Sequence, residues 1–193
     1  NSKYIPYNNN KEYKPGDFFS ATASIDLTKN RYYIAGDFTF TTYLDDKIDN
    51  LKIFRQSNQF VTRFRSGYNT STTQTGFEIL YIIRGDNKQY STLNDIEIDP
   101  SKFFGNEFRI NSKHTTFFAD DWRLSPSVEW KYIGADDRGN ASAHIFGFGW
   151  SVGRNIGKNN ILEIGFRYFS GKANGGNIDL KGLEIMSSLT ASF

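Results

Sequence analysis

The residues LEIMSSLTASF, at positions 183–193, decide the fold predicted for this chain. Every second residue from Leu183 to Phe193 belongs to a mostly apolar row, and the residues between them are polar except Met186. Successive side chains of a β-strand point to opposite faces, so the pattern predicts a strand with one apolar and one polar side. In a closed barrel in a bilayer, the last strand of the barrel must pair with the first strand. A terminal strand that ends on an aromatic residue suits such a barrel.

The composition favours the same architecture. Hydrophobic residues make up 38% of the 193 residues, yet aromatic residues make up 17%, with 18 Phe and 11 Tyr. Soluble domains usually contain about 45–50% apolar residues, and a disordered chain would contain few aromatic ones. Low hydrophobicity with many aromatic residues is expected when the apolar side chains form only an outer belt. No run of 18 apolar residues occurs, so no transmembrane helix is predicted.

The charged residues and cysteines exclude several classes of function. The chain has 23 basic and 21 acidic residues without a basic block, so no nucleic-acid partner is expected. The absence of cysteine excludes a disulfide framework and a thiol nucleophile, and it suits an oxidising compartment. No metal-ligand motif of the His-Glu-x-x-His kind is found, and we expect neither a metal nor another cofactor. No signal peptide is visible, so an exported protein would appear here in mature form or as a fragment.

Alternation with a period of two predicts nine strands. They lie near residues 18–28, 31–44, 57–68, 75–85, 104–118, 122–133, 142–154, 160–170 and 182–193. The connections alternate between short ones and longer ones, the latter at 45–55, 85–103, 134–140 and 171–181. An even number of strands brings both ends of a barrel to the same side, so a first strand at Ser2–Tyr7 would give ten. Residues 1–16 are either that short strand or a linker, and counts of eight or twelve strands remain open.

These features resemble the bacterial outer-membrane β-barrel superfamily over residues 18–193. The resemblance implies one domain, 1–193, that is all-β and forms a closed antiparallel up-and-down transmembrane barrel in the bacterial outer membrane. Its partners would be the lipid bilayer and the barrel assembly machinery. The assembly signal would be the apolar end of the last strand, at Leu189, Ala191 and Phe193. Short turns would then face the periplasm, and the long loops would face outward and offer surfaces for protein partners.

The alternation also predicts which side chains line the interior of such a barrel. The expected lumen charges are Arg63, Arg65, Glu78, Arg84, Glu107, Arg109, Lys113, Arg123, Glu129, Lys131, Glu163 and Arg167, with Glu184, Asp26 and Asp37. Near-equal numbers of acids and bases suggest a network of ion pairs across strands. The network would plug a small barrel or leave a narrow pore with a slight preference for anions. The expected interface aromatics are Tyr43, Tyr68, Trp122, Trp130, Tyr132, Trp150 and Tyr168.

The function predicted from these patterns is non-enzymatic: a structural anchor, a surface-binding module or a narrow channel. One alternative is an outer-membrane lipid hydrolase or acyltransferase. In such enzymes a serine follows the histidine by two residues, whereas here Ser142 precedes His144, so no catalytic residue is predicted. The other alternative is a soluble lipocalin-like barrel, which requires Phe148, Trp150 and Ile164 to point inward. The oligomeric state and membership of a longer protein remain open.

Overall fold

A computed structural model describes residues 13–90, 97–102, 104–118, 121–156 and 160–191. Its strands are β1 Tyr13–Lys14, β2 Phe18–Lys29, β3 Tyr32–Tyr43, β4 Asp46–Ile48, β5 Leu51–Arg55, β6 Gln59–Asn69, β7 Thr73–Arg84, β8 Asn87–Tyr90, β9 Glu97–Ser101, β10 Glu107–Phe118, β11 Trp122–Ile133, β12 Ala143–Ile156, β13 Asn160–Ala173 and β14 Ile178–Ala191. A short 3-10 turn spans Asn174–Gly176. The described part of the chain contains no helix long and apolar enough to cross a bilayer.

Nine long strands form one antiparallel sheet in the order β14-β13-β12-β11-β10-β7-β6-β3-β2. Each of the nine stretches predicted from the alternation becomes one of these strands, which confirms the all-β antiparallel prediction. The strands alternate in direction, so β2 and β14, at the two ends of the order, run the same way. Among the described residues no pairing joins β2 to β14, and the sheet is not seen to close.

A second sheet of five short strands, in the order β1-β4-β5-β8-β9, was not predicted. The loops expected at 45–55 and 85–103 are therefore partly strands, a correction to the sequence reading. These strands are too short, and their apolar pattern too irregular, to give a period-two signal. Backbone hydrogen bonds from Leu44 N to Asp17 O (2.7 Å) and from Gly85 N to Asn58 O (3.1 Å) continue the long strands toward this small sheet. The predicted first strand at Ser2–Tyr7 lies outside the described residues.

The turns follow from local backbone chemistry. Asn30 sits between β2 and β3 with φ 56°, and Asp49 and Asn50 connect β4 to β5 with φ of 50° and 68°. Asn and Asp tolerate this left-handed region because their side chains hydrogen-bond locally, and two such residues make the tight hairpin turn that matches strand twist. The connection predicted at 171–181 is shorter than expected, because β13 and β14 extend to Ala173 and from Ile178.

The described residues contain almost no hydrophobic core. The buried hydrophobic side chains are Ala35, Ile48, Leu80 and Ala143, and no large side chain is fully buried. The accessible surface is 13374 Å², whereas a soluble monomer of 22.1 kDa usually exposes about 9,300 Å². The long strands therefore do not bury their apolar side chains against another layer of this chain.

The charged face as candidate functional site

The two faces of the nine-stranded sheet differ sharply in chemistry. The pairing register places all fifteen predicted lumen charges at alternate positions on one face, which we call the charged face: Asp26, Asp37, Arg63, Arg65, Glu78, Arg84, Glu107, Arg109, Lys113, Arg123, Glu129, Lys131, Glu163, Arg167 and Glu184. Eight are basic and seven are acidic. The opposite side, with residues such as Phe64, Phe148 and Ile185, is the apolar face.

Ion pairs between distant strands indicate that the sheet curves with the charged face inside. Lys113 on β10 and Glu163 on β13 are three strand spacings apart, about 14 Å in a flat sheet. Their charged atoms, Nζ and Oε1, are nevertheless 3.6 Å apart. Arg167 likewise reaches Glu129 across β12, with 3.4 Å between Nη1 and Oε1. The charged face is therefore concave.

Glu163 is the centre of one cluster on this face. It pairs with Arg123 and with Lys113, and it accepts a hydrogen bond of 2.6 Å from Ser151 Oγ. Its side chain is 20% exposed, so three donors surround one partly buried carboxylate. The shared carboxylate therefore links β10, β11, β12 and β13 on the charged face.

Arg167 is the centre of a second cluster, in which one basic group contacts two acidic groups. Its Nη2 and Nε lie 2.6 Å and 3.0 Å from Glu184 Oε2, which makes a charge-assisted two-point contact. Its Nη1 lies 3.4 Å from both carboxylate oxygens of Glu129. One guanidinium thus joins β11, β13 and β14 and is shared by two carboxylates.

A third cluster lies on β3, β6, β7 and β10 and is rich in arginine. Arg65 Nη2 lies 2.8 Å from Asp37 Oδ2. Glu78 is shared by Arg109, at 3.2 Å, and Arg63, at 3.7 Å. Three guanidinium groups therefore meet two carboxylates, and the Nε atoms of Arg65 and Arg109 are buried without a hydrogen-bond partner among the described atoms. This side of the charged face has an excess of donors.

Two further pairs complete the placement of the predicted charges. Lys131 Nζ lies 3.1 Å from Glu107 Oε1, and Arg84 Nη1 donates to Gly105 O at 2.7 Å. Asp26, on the end strand β2, is exposed and makes no ion pair with the described residues.

Glycines on the charged face make room for the long basic side chains. A Cβ on Gly153 would lie 2.5 Å from Arg123 Nε, and one on Gly149 would lie 3.2 Å from Arg167 Cβ. Gly147 would meet Arg167 Cδ at 3.7 Å. The glycines of β12 thus leave the space in which the two arginines cross the strand. This agrees with the sequence interpretation that small residues here accommodate bulky neighbours.

The apolar face carries charged residues only close to the ends of its strands. They are Lys29, Arg154, Lys172, Asp179 and Lys181. On β12 the positions between His144 and Arg154 on this face are Phe146, Phe148, Trp150 and Val152. Ten residues of strand span about 33 Å, or about 25 Å along the normal at the tilt usual in membrane barrels.

Most, but not all, of the predicted interface aromatics lie on the apolar face near the ends of their strands. Tyr68, Trp122, Trp130, Tyr132 and Tyr168 belong to the apolar face. Two residues differ from the prediction. Tyr43 has the register of the charged face and packs on Phe18, with 6.1 Å between ring centroids. Trp150 lies in the middle of β12 rather than at a rim, and it packs edge-on against Phe166 at 4.1 Å.

The predicted assembly signal is only partly described. Leu189 is exposed on the apolar face of β14. Ala191 is the last residue of that strand, and its backbone pairs with Asn160. Phe193 lies outside the described residues.

Among the described residues, neither histidine is oriented by a carboxylate. His144 lies among the rings of Trp130 and Tyr132, with centroid distances of 6.2 Å and 4.8 Å. His114 shares a hydrogen bond of 2.8 Å between Nδ1 and Thr75 Oγ1, and its Nε2 lies 3.3 Å from Thr116 Oγ1. This Thr75 contact is created by cross-strand register, and no sequence pattern predicts it. Both ring nitrogens contact hydroxyls, so no carboxylate orients the imidazole.

The small sheet is held by polar contacts at its start. Tyr13 OH donates to Asp46 at 3.1 Å, and burial together with this hydrogen bond raises the pKa of Tyr13. Lys52 Nζ lies 3.5 Å from Asp45 and 5.5 Å from the ring centroid of Tyr90. These contacts order part of the surface that the long connections present.

The β11–β12 connection forms its own turn around Asp136. Its carboxylate accepts hydrogen bonds from Asn140 Nδ2 at 2.8 Å and from the backbone N–H groups of Arg138 and Asn140, both at 3.0 Å. These bonds, the Asn140 side chain first, lower the pKa of Asp136. In the described residues no group of three acidic or histidine side chains is placed to hold a metal ion.

Comparison with models of known protein families gives no match, and no curated protein matches the sequence.

Proposed function

We propose that the chain is a transmembrane β-barrel of the bacterial outer membrane that works without catalysis. It serves as a membrane anchor or surface-binding module, and its interior is a charged, largely ion-paired lumen that is plugged or leaves a narrow channel. Closure joins the β2 and β14 ends of the sheet, and a tenth strand between them would make every pairing antiparallel.

The observation that carries this proposal is the reversed placement of apolar and charged side chains. Phe148 is 51% exposed, Ile164 55% and Ile185 76%, while the ion-paired residues line the concave side. In water this arrangement would expose a continuous apolar belt, which soluble monomers avoid. In a bilayer the same belt faces hydrocarbon, and the strands satisfy their own backbone groups.

The soluble lipocalin-like alternative requires the opposite orientation. Phe148, Trp150 and Ile164 would have to fill the interior, whereas they are exposed on the apolar face, opposite the charged face. The belt of about 25 Å on β12 also matches the hydrocarbon span of a membrane barrel. Both observations favour the membrane proposal.

The ion pairs support a plugged or narrow lumen. Long side chains from β10, β11 and β13 meet over the concave face, and a barrel of about this strand number has little interior space beyond its side chains. The donor excess of the arginine cluster would favour anions over cations in any residual water path.

Cell fractionation tests the proposal. The protein, carried by an export signal, is produced in a Gram-negative host, and outer-membrane fractions are washed with alkaline carbonate. We expect it to stay in the membrane pellet, to need detergent for extraction, and to migrate differently in gels before and after boiling. Recovery as a soluble, folded protein without detergent would overturn the proposal. Planar bilayers then separate plug from pore: steps well above baseline would refute the plugged version.

A second candidate function is a lipid-modifying hydrolase or acyltransferase, supported by the hydrogen bond between Thr75 and His114 on the apolar face. A hydroxyl beside an imidazole is the minimal pair for nucleophilic catalysis. Deacylation of phospholipid by the purified protein, lost in both Thr75→Ala and His114→Ala, would establish it. Activity unchanged in both variants and in His144→Ala would exclude these groups.

A further inference from the structure

The cations on the apolar face outnumber the acids. This face has one acid, Asp179, and four cations: Lys29, Arg154, Lys172 and Lys181. The charged face, in contrast, has eight basic and seven acidic residues. None of the four makes an ion pair with the described residues, although Arg154 lies over the ring of Trp122 at 5.2 Å. The cations at these edges therefore exceed the acids by three.

One of these edges forms a depression at the long-connection end of β12 and β13. Its walls are Trp130, His144, Phe146, Lys172 and Gly176. His144 and Lys172 are direct cross-strand neighbours. The chain beyond Lys172 turns sharply, with φ of 63° at Gly175 and 100° at Gly176, and the Lys172 Cδ passes 3.8 Å from the Cβ position of Gly176. The turn therefore approaches the Lys172 side chain at the position directly across from His144.

The floor of the depression is continuous with the apolar belt. Phe146 is one of its walls and is followed on the same face by Phe148 and Trp150. On β14, Asp179 lies directly opposite Lys172 and Lys181 lies opposite Ser170, so two lysines at this rim face one acid. A ligand that fits would carry a negative group above the rim and a hydrocarbon chain below it.

We propose that this site binds the phosphate group of a membrane lipid, with Lys172 as the principal cation, His144 as a second donor and the Phe146–Trp130 wall against the acyl chain. This rests on the proposed membrane location. Interfacial lysines attract anionic lipid headgroups, and aromatic rings suit the same depth.

Lipid binding by the purified protein in a non-ionic detergent tests this inference. Native mass spectrometry and tryptophan fluorescence follow titration with short-chain phosphatidylglycerol, with phosphatidylcholine for comparison. We expect phosphatidylglycerol to bind more tightly, and Lys172→Gln to weaken it about fivefold, the effect of one interfacial cation. Lys172→Arg should retain binding. Lys29→Gln, which removes the same charge at the opposite rim, should not change it.

Three outcomes would overturn the inference. One is unchanged phosphatidylglycerol affinity in Lys172→Gln, and another is an equal loss in Lys29→Gln, which would reflect net charge alone. The third is displacement of the lipid by millimolar inorganic phosphate, which would identify a site for free phosphate. A protein that needs detergent and inserts into vesicles but fails these tests refutes only this site. One that folds in water refutes the proposed function first.

Discussion

An arginine in place of Phe148 tests the orientation of the apolar face directly. Phe148 lies four positions from His144 and six from Arg154 on β12, which places it about 10 Å and 15 Å from the two rims of the belt. A cation that deep in a bilayer costs about 2–4 kcal/mol. If the same half-exposed residue faced water, the substitution would change the free energy of unfolding by less than about 0.5 kcal/mol.

Two shallower positions provide the depth control. Phe146 and Val152 each lie two positions from a rim residue, about 5 Å below the headgroups. We expect Phe146→Arg and Val152→Arg to cost about 1 kcal/mol each, because the penalty decreases toward the interface. Phe148→Leu measures the part of the change that is due to lost packing.

The free energy of unfolding is measured by guanidinium titration of the protein folded in lipid vesicles. The three tryptophans, none of which is substituted in these variants, report the transition. The expected result is a profile with its largest cost at position 148. Equal costs at the three depths, or a cost at Phe148 no larger than that of an ordinary surface substitution, would refute the assignment of this face to lipid.

Three other perturbations follow from the same geometry. Glu163→Gln removes the carboxylate shared by two cations and should cost about 2 kcal/mol in this unfolding assay. The half-exposed Glu184→Gln should cost less than about 1 kcal/mol, and a reversed order would contradict the cluster assignment. Gly165→Ala brings a methyl group within 2.7 Å of Ser151 Cβ and 2.9 Å of the Trp150 backbone oxygen, and it should cost about 1–3 kcal/mol. Gly36→Ala, with only a 3.5 Å contact, should not destabilise. The lowered pKa of Asp136 implies that its turn persists above the ordinary carboxyl pKa and opens only as the pH falls through the lowered value. An NMR titration with its midpoint at or above the ordinary value would disprove this.

The sequence alone determined the nine long strands and, for the predicted charges and most predicted aromatics, the face to which each side chain belongs. A strand with a period of two needs no information beyond its own residues, because every second side chain shares a face. The alternation of Phe146, Phe148 and Trp150 with glycines therefore located β12 and its two faces before any pairing was known. The same rule placed Arg167 and Glu163 together on one side of β13.

Tertiary structure alone decided which charges meet and how the sheet bends. The pair of Lys113 and Glu163 forms across three strands, because curvature brings together residues that sequence separates by fifty positions. The small sheet was missed for a related reason: its strands of two to five residues gain stability from pairing with distant loops, not from their own pattern. Local alternation is a property of single strands, whereas register, curvature and ion-pair partners depend on contacts between strands, and these determine the chemistry of the concave face.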